Sequence, residues 1–262
     1  MVIHAGTLVL LAGGQGAWPP HWVSTLGAWC PLVLLVLVAL LVIRALVRHH
    51  RYQARGVLSE ADLEALRAAL AQAESRTTGE LVPVIVERSD SHAEARWLAA
   101  LGALLLGTAL LAGHLPWESP ALLLMCQVGL GAAGWFAAFW LPDLQRLLIS
   151  ERRATHVAEE QAAQEFHRQG LHRTREGTGV LLFVSLLERR VIVLGDAGIH
   201  ARVGDAHWTA ATQAVLDGIH RGSLRDGLLA GLQCCGGVLA EHFPGRPDDR
   251  NELSDHLVVR RQ

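Results

Sequence analysis

Apolar positions along this chain repeat on three length scales, and each scale predicts a different kind of element. On the longest, residues 23–43, 97–115 and 121–141 contain no Asp, Glu or Arg, and each is close to or above the ~20 residues a bilayer crossing needs. On the middle scale, apolar side chains recur at helical spacing. Leu63, Leu66, Leu70 and Ala73 form one stripe, and Ala154, Val157, Ala158, Ala162 and Phe166 form a second. Trp208, Thr212, Val215 and Ile219 make a third, and Leu224, Gly227, Leu228, Gly231, Cys235, Val238 and Leu239 a fourth. On the shortest, residues 81–86, 180–186 and 191–194 are brief runs rich in branched residues, which read as strands. Residues 180–186 are apolar apart from Ser185, so this strand is expected to be covered on both faces.

Punctuation between these runs fixes the order. Ser59 and Asp62 have capping-box spacing, with Leu58 placed to staple onto Leu63, and Ser223 with Asp226 repeats the box. Gly170 suits a helix C-terminus, where Leu171 can meet Phe166. Glu188, Arg189 and Arg190 are the charges between two apolar runs and mark the reversal of a β-hairpin. Pro83 cannot donate to a ladder, which predicts an edge position for the first strand. Two Thr-Gly steps, Thr78-Gly79 and Thr178-Gly179, each follow an arginine-bearing helix end, which suits parallel strands joined by a crossover. The expected organisation is a lead-in at 1–22, a first transmembrane helix at 23–47 and a first α/β part at 58–90. A transmembrane helical hairpin at 97–141, a second α/β part at 151–243 and a solvated polar tail at 244–262 complete it.

Composition supports a membrane component: 51% of residues are hydrophobic, 18% are charged and the mean hydropathy is +0.27. Arginines flank the cytoplasmic ends predicted by the positive-inside rule. Arg44, Arg48, Arg51 and Arg55 follow the first run, Arg88 and Arg96 precede the hairpin, and Arg146, Arg152 and Arg153 follow it. An integral membrane protein results, with its N-terminus outside and its α/β domain in the cytoplasm. Tryptophans at 18, 22, 29, 97, 117, 135 and 140 lie near the ends of these runs, as an aromatic belt would require. All 23 basic residues are arginine, which excludes a lysine-bearing phosphate loop and Schiff-base chemistry. A net charge of -2 gives no electrostatic case for nucleic acid. The four cysteines lack CxxC spacing and read as buried thiols.

The order helix, Thr-Gly-Glu strand (78–80), helix, Thr-Gly-Val-Leu-Leu-Phe-Val-Ser-Leu-x-Glu-Arg hairpin (178–189), Gly-x-x-Gly-Ile loop (195–199) and Gly-Leu-Leu-Ala-Gly helix (227–231) resembles the TPM domain family. The resemblance covers roughly 58–243, interrupted by the membrane hairpin, and the closing Phe243-Pro244 stretch is similar to a bacterial inner-membrane branch. It implies a three-layer α/β/α sandwich around a small mixed sheet, here with three transmembrane helices, two of them a hairpin inserted in the βαβ crossover. Members range from a thylakoid phosphatase-like protein and a photosystem II repair protein to a nematode receptor modulator, and some bind calcium. No single chemistry spans them.

Candidate chemistry is sparse. His156 and Glu160 are one helical turn apart, His200 and His207 flank a loop, and Cys234-Cys235 are adjacent on a helix. Each has a bland reading as a surface contact, a loop residue or a buried thiol. Strand order gives a better cluster: Glu80, Thr178, Asp196 and Asp205 all fall on one edge of the sheet. Glu80, Asp196 and Asp205 offer hard oxygen ligands suited to calcium or magnesium. Against this stands the stronger reading of Asp205 as only a helix N-cap and Asp196 as only a turn residue. At the opposite edge, Arg189 and Arg190 form a turn expected to face the membrane, each arginine gaining ~1 kcal/mol from an anionic leaflet. The resulting expectation is a membrane-anchored, non-enzymatic interaction or assembly and repair module. Its partners are membrane lipids and other membrane proteins, not nucleic acid; a divalent-metal-dependent phosphatase is the alternative.

Overall fold

The computed structural model describes residues 58–115, 117–246 and 257–260. The expected crossing at 23–47 and its lead-in lie outside them. Helix α1 (Glu60–Glu74) starts at the full Ser59–Asp62 capping box, and Leu58 and Leu63 join the same core as a staple requires. Strand β1 (Glu80–Val86) then leads into a pair of long helices, α2 (Ala93–Leu110) and α3 (Pro120–Trp140). A short α4 (Pro142–Leu148) and the polar α5 (Glu151–Arg168) return the chain to β2 (Gly179–Ser185). The hairpin closes with β3 (Arg190–Gly195), followed by α6 (Ala197–His200), α7 (Asp205–His220), α8 (Leu224–His242) and β4 (Val258–Arg260).

The sheet order is β3-β2-β1-β4, with β1 parallel to both β2 and β4 and β3 antiparallel to β2. Side chains alternate between two cores. Leu81, Ile85, Val180, Leu182 and Val184 meet α1, α7 and α8 on one face. Val82, Val84, Val86, Leu181 and Phe183 meet Ala158, Ala162 and Phe166 of α5 on the other. Every residue of β1 and β2 is buried, which for β2 is the cover on both faces that its apolar run predicts. Gly170 has φ +75° after α5, so the left-handed turn that ends the helix is one glycine adopts without strain.

Helices α2 and α3 pack on each other through small residues, Gly107 against Leu130 and Gly134 against Ala99 and Ala103. Their outer faces are bare: Trp97, Leu106, Leu124 and Met125 are among the large apolar side chains exposed there. At 1.5 Å per residue these helices span roughly 27 and 31 Å, against a hydrocarbon thickness of ~30 Å. Among the described residues they are the two helices long and apolar enough to cross a membrane.

Three expectations need correction. The tail is not wholly solvated, because Val258–Arg260 pairs with Val84–Val86. Consequently β1 is not an edge strand along its full length. The pairing begins at Val84, one residue past Pro83, so the missing N–H at Pro83 falls where β4 has not yet started. Further along, Asp205 is the first residue of α7 and Gly204 holds the N-cap position, so the capping role expected of Asp205 is not the one observed.

Candidate functional site

The two ends of the sheet carry different chemistry. At the N-terminal ends of β1 and β2, Glu80 pairs in register with Gly179, and the Asp196 amide donates to the Gly179 carbonyl at 2.9 Å. Glu80 and Asp196 therefore flank Gly179 from the strands on either side, about 10 Å apart along the sheet. Glu80 is nearly buried and engaged within the fold. Asp196 caps α6, its Oδ1 accepting from the Ala197 amide at 2.7 Å. Thr178 Oγ1 donates to the Thr78 carbonyl at 3.2 Å, tying the two Thr-Gly steps together. The Asp205 side chain lies outside the described residues. Of the residues expected to ligate calcium or magnesium, then, one is a cap and one is a buried strand-end carboxylate.

A denser arrangement, which the sequence reading missed, lies at the opposite end, where β1 and β2 finish and α2 begins. Glu188 does not project from the hairpin tip. It turns inward and is fully buried. One carboxylate oxygen accepts from the Ser89 amide at 3.0 Å and meets His92 Nε2 at 2.6 Å; the other accepts from Ser185 Oγ. Ser89 Oγ donates in turn to Ser185 Oγ at 2.9 Å. An isolated buried carboxylate costs several kcal/mol, and these charge-assisted bonds offset that cost. Burial pushes the Glu188 carboxyl up, but the bonds from His92, Ser185 and Ser89 outweigh it and hold the group below the usual carboxylate range.

His92 and Arg189 are the non-glycine residues with positive φ among those described, at 48° and 53°. His92 occupies the N-cap position of α2, and Arg189 adjoins Glu188 in the hairpin turn. Such backbone costs about 1 to 3 kcal/mol and persists where surrounding contacts over-determine it. Here the Glu188 cluster supplies those contacts for His92. A ring of ion pairs surrounds it. Arg153 NH2 lies 2.7 Å from Asp90 Oδ2, and its Nε lies 3.4 Å from Glu94 Oε1. Glu151 pairs with Arg146 at 2.5 Å and with Arg190, and Arg190 Nε donates to Thr155 Oγ1 at 2.9 Å. Hydrogen bonds from Arg146 and Arg190 depress the Glu151 carboxyl; burial, opposed by the Ser91 amide and Arg153, still leaves Asp90 depressed. Arg189 stays largely exposed, 3.9 Å from Asp143 of α4. The turn that the sequence assigned to Arg189 and Arg190 thus sits beside the base of the α2–α3 pair, with Arg190 folded back onto α5.

Asp90, His92 and Glu94 are the described His and acidic residues whose potential ligand atoms converge. Calcium takes six to eight oxygens, whereas this set places a guanidinium between its two carboxylates and adds a ring nitrogen. The cation there is Arg153, and the donors do not fit calcium. Nor do the buried hydroxyls form a nucleophile dyad. In a catalytic triad the histidine lies between hydroxyl and carboxylate, but here both Ser185 and His92 bind the carboxylate directly. Cys235 is equally unreactive: burial, with Cys234 beside it, pushes its thiol up to about 12. The arrangement can fasten one end of the sheet to the root of α2. Gln145 of α4 and Arg96 of α2 strengthen that fastening by donating to the Ser91 carbonyl, each at 3.0 Å, while the Arg96 guanidinium lies over the Phe139 ring at 5.0 Å.

Comparison with known proteins gives one domain-model match and one similar solved structure. Residues 146–238, from within α4 into α8, match the TPM domain model. An NMR structure of the BA42 protein from the psychrophilic bacterium Bizionia argentinensis is similar at 19% identity, covering 77% of this chain and 94% of that one, with a TM-score of 0.49. No curated protein matches the chain.

Proposed function

We propose that this protein, whose residues 146–238 match the TPM domain model, is a TPM module anchored in a bacterial inner membrane by the α2–α3 pair, where it binds or helps assemble other membrane proteins. One observation carries this reading. The two apolar helices are inserted between β1 and α5, and the buried Glu188–His92 contact joins their root to the centre of the sheet. A flexible tether would need no such clamp. Anything that displaces α2 therefore bears directly on the hairpin between β2 and β3. The arginines at 88, 96, 146, 152 and 153 support a cytoplasmic α/β domain by the positive-inside rule. With the sheet's C-terminal edge at the bilayer surface, Arg189 faces anionic lipid.

Photo-crosslinking groups at Leu106 and Met125, both widely exposed, test the reading in native membranes. Adducts to a defined membrane protein are expected from at least one position. Adducts to lipid alone, or release of the chain by alkaline washing, would contradict it. Phosphomonoester hydrolysis by the purified full chain that requires calcium or magnesium and stops with a chelator would favour a hydrolase instead.

A further inference from the structure

Strand β4 covers the outer edge of β1. Val258–Arg260 adds to β1 in parallel over Val84–Val86, and the Glu87 amide extends the ladder by donating to the Arg260 carbonyl at 3.2 Å. Alternation sends Val259 to the α1–α7–α8 core and Val258 to the α5 core. Arg260 then reaches Glu165 of α5, whose side chain is fully buried, with Nε 3.1 Å from Oε1 at an angle short of a hydrogen bond. The Glu165 carboxylate is oriented independently of the tail. Arg168 donates to Oε1 at 2.7 Å, Gln161 reaches the same oxygen at 3.4 Å, and Gln169 donates to Oε2 at 3.1 Å. A buried carboxylate held by α5 at the end of a short strand groove has the form of a specificity pocket: backbone bonds give affinity, and alternate side-chain sites read the sequence.

We propose that the outer edge of β1 together with Glu165 binds an extended partner segment in which two β-branched residues precede an arginine, and that this chain's own 258–260 occupies the site as a built-in competitor. Three paired residues make a weak strand. Residues 247–256 supply enough chain, at up to ~3.3 to 3.6 Å per residue, for the tail to leave the groove without disturbing α8. The occupant's chemistry is stated by the tail itself. Aliphatic side chains enter both cores and a cation meets a buried carboxylate. The proposal rests on reading the chain as an interaction module, but uses residues remote from the α2–α3 pair.

The test uses the full chain in detergent with a specific protease site placed between 247 and 256. The probe is a fluorescent peptide of sequence Ser-Asp-His-Leu-Val-Val-Arg-Arg-Gln, matching residues 254–262. Before cleavage the tail should exclude the peptide. After cleavage the peptide should exchange in saturably, detected by anisotropy. A peptide carrying Arg260→Ala should bind roughly tenfold or more weakly, as loss of a charged pair of this kind implies. Glu165→Gln in the protein should remove that discrimination. A cleaved chain that stays folded by circular dichroism yet admits no peptide would overturn the proposal. Equal binding of the two peptides would also overturn it, as would dimers that swap tails and exclude the peptide. Because no bilayer or membrane partner is present, failure here is separable from failure of the crosslinking at Leu106 and Met125.

Discussion

The two ends of the central sheet begin from similar materials, strand termini with acidic residues and nearby helix starts, and are finished in opposite ways. At the N-terminal end, Asp196 is half-exposed and bonds to the backbone beside it, and Gly177 and Gly198 let two loops touch. At the C-terminal end, Glu188 is buried and reaches residues 96 to 99 positions away in sequence. Solvent and the adjacent backbone satisfy Asp196 at the first end. Distant side chains satisfy the second, where the apolar helix pair departs. The difference teaches that a carboxylate at a turn is not thereby a surface group, and that the strained, internally satisfied end is the one linked to the apolar helix pair.

The largest expected effect follows from removing the buried carboxylate. Glu188→Ala leaves His92, the Ser89 amide and the Ser185 hydroxyl without their shared acceptor, and each buried polar group left unsatisfied costs about 1 to 3 kcal/mol. Denaturant unfolding of the detergent-solubilised chain would measure it; a loss under ~1 kcal/mol would mean that this end is not built as described. The same group sets a pH dependence. Its carboxyl lies below the ordinary 4.5, so its contribution is fully present above that value and is lost as pH falls through the depressed folded value. Stability differences between the chain and Glu188→Gln should therefore be constant from pH 7 to about 5 and shrink below 4.5. A difference that grew on acidification would reverse the sign.

Changes at the other end should be smaller. A Cβ at Gly198 would meet the carbonyls of Glu176 and Gly177, so Gly198→Ala should cost about 1 to 3 kcal/mol by overpacking. Asp196→Ala removes one N-cap and should cost about 1 kcal/mol. Calorimetric unfolding of both variants beside Glu188→Ala would sharpen the contrast, and an Asp196→Ala loss equal to that of Glu188→Ala would erase it. Titrating these proteins with calcium checks the ligand expectation too. Binding that Asp196→Ala abolishes would establish Asp196 as a ligand.

Much of the framework was legible because its signals are periodic and local. The stripes that became α1, α5, α7 and α8, the capping box at Ser59 and the covered run at 180–186 all depend on neighbours a few residues apart. The cluster around Glu188 was not, because its partners lie on the far side of the α2–α3 insertion. One signal did point to it: Ser185 is a lone hydroxyl in a strand covered on both faces, and a buried hydroxyl must find a partner. Strand β4 was hidden for a different reason. Three residues inside a polar tail carry almost no periodicity, and what places them is the unfilled edge of β1 beyond Pro83.

The central claim is that the α2–α3 pair lies in the bilayer, with the Glu188 end of the sheet at its surface and the Asp196 end in water. Spin labels at 106, 189 and 196 of the full chain in vesicles containing anionic lipid would test it through collision with oxygen and with a water-soluble nickel chelate. The account predicts that oxygen dominates at 106, that 189 is intermediate and that the chelate dominates at 196. A label at 196 nearer to lipid than one at 189, or a label at 106 open to the chelate, would contradict it.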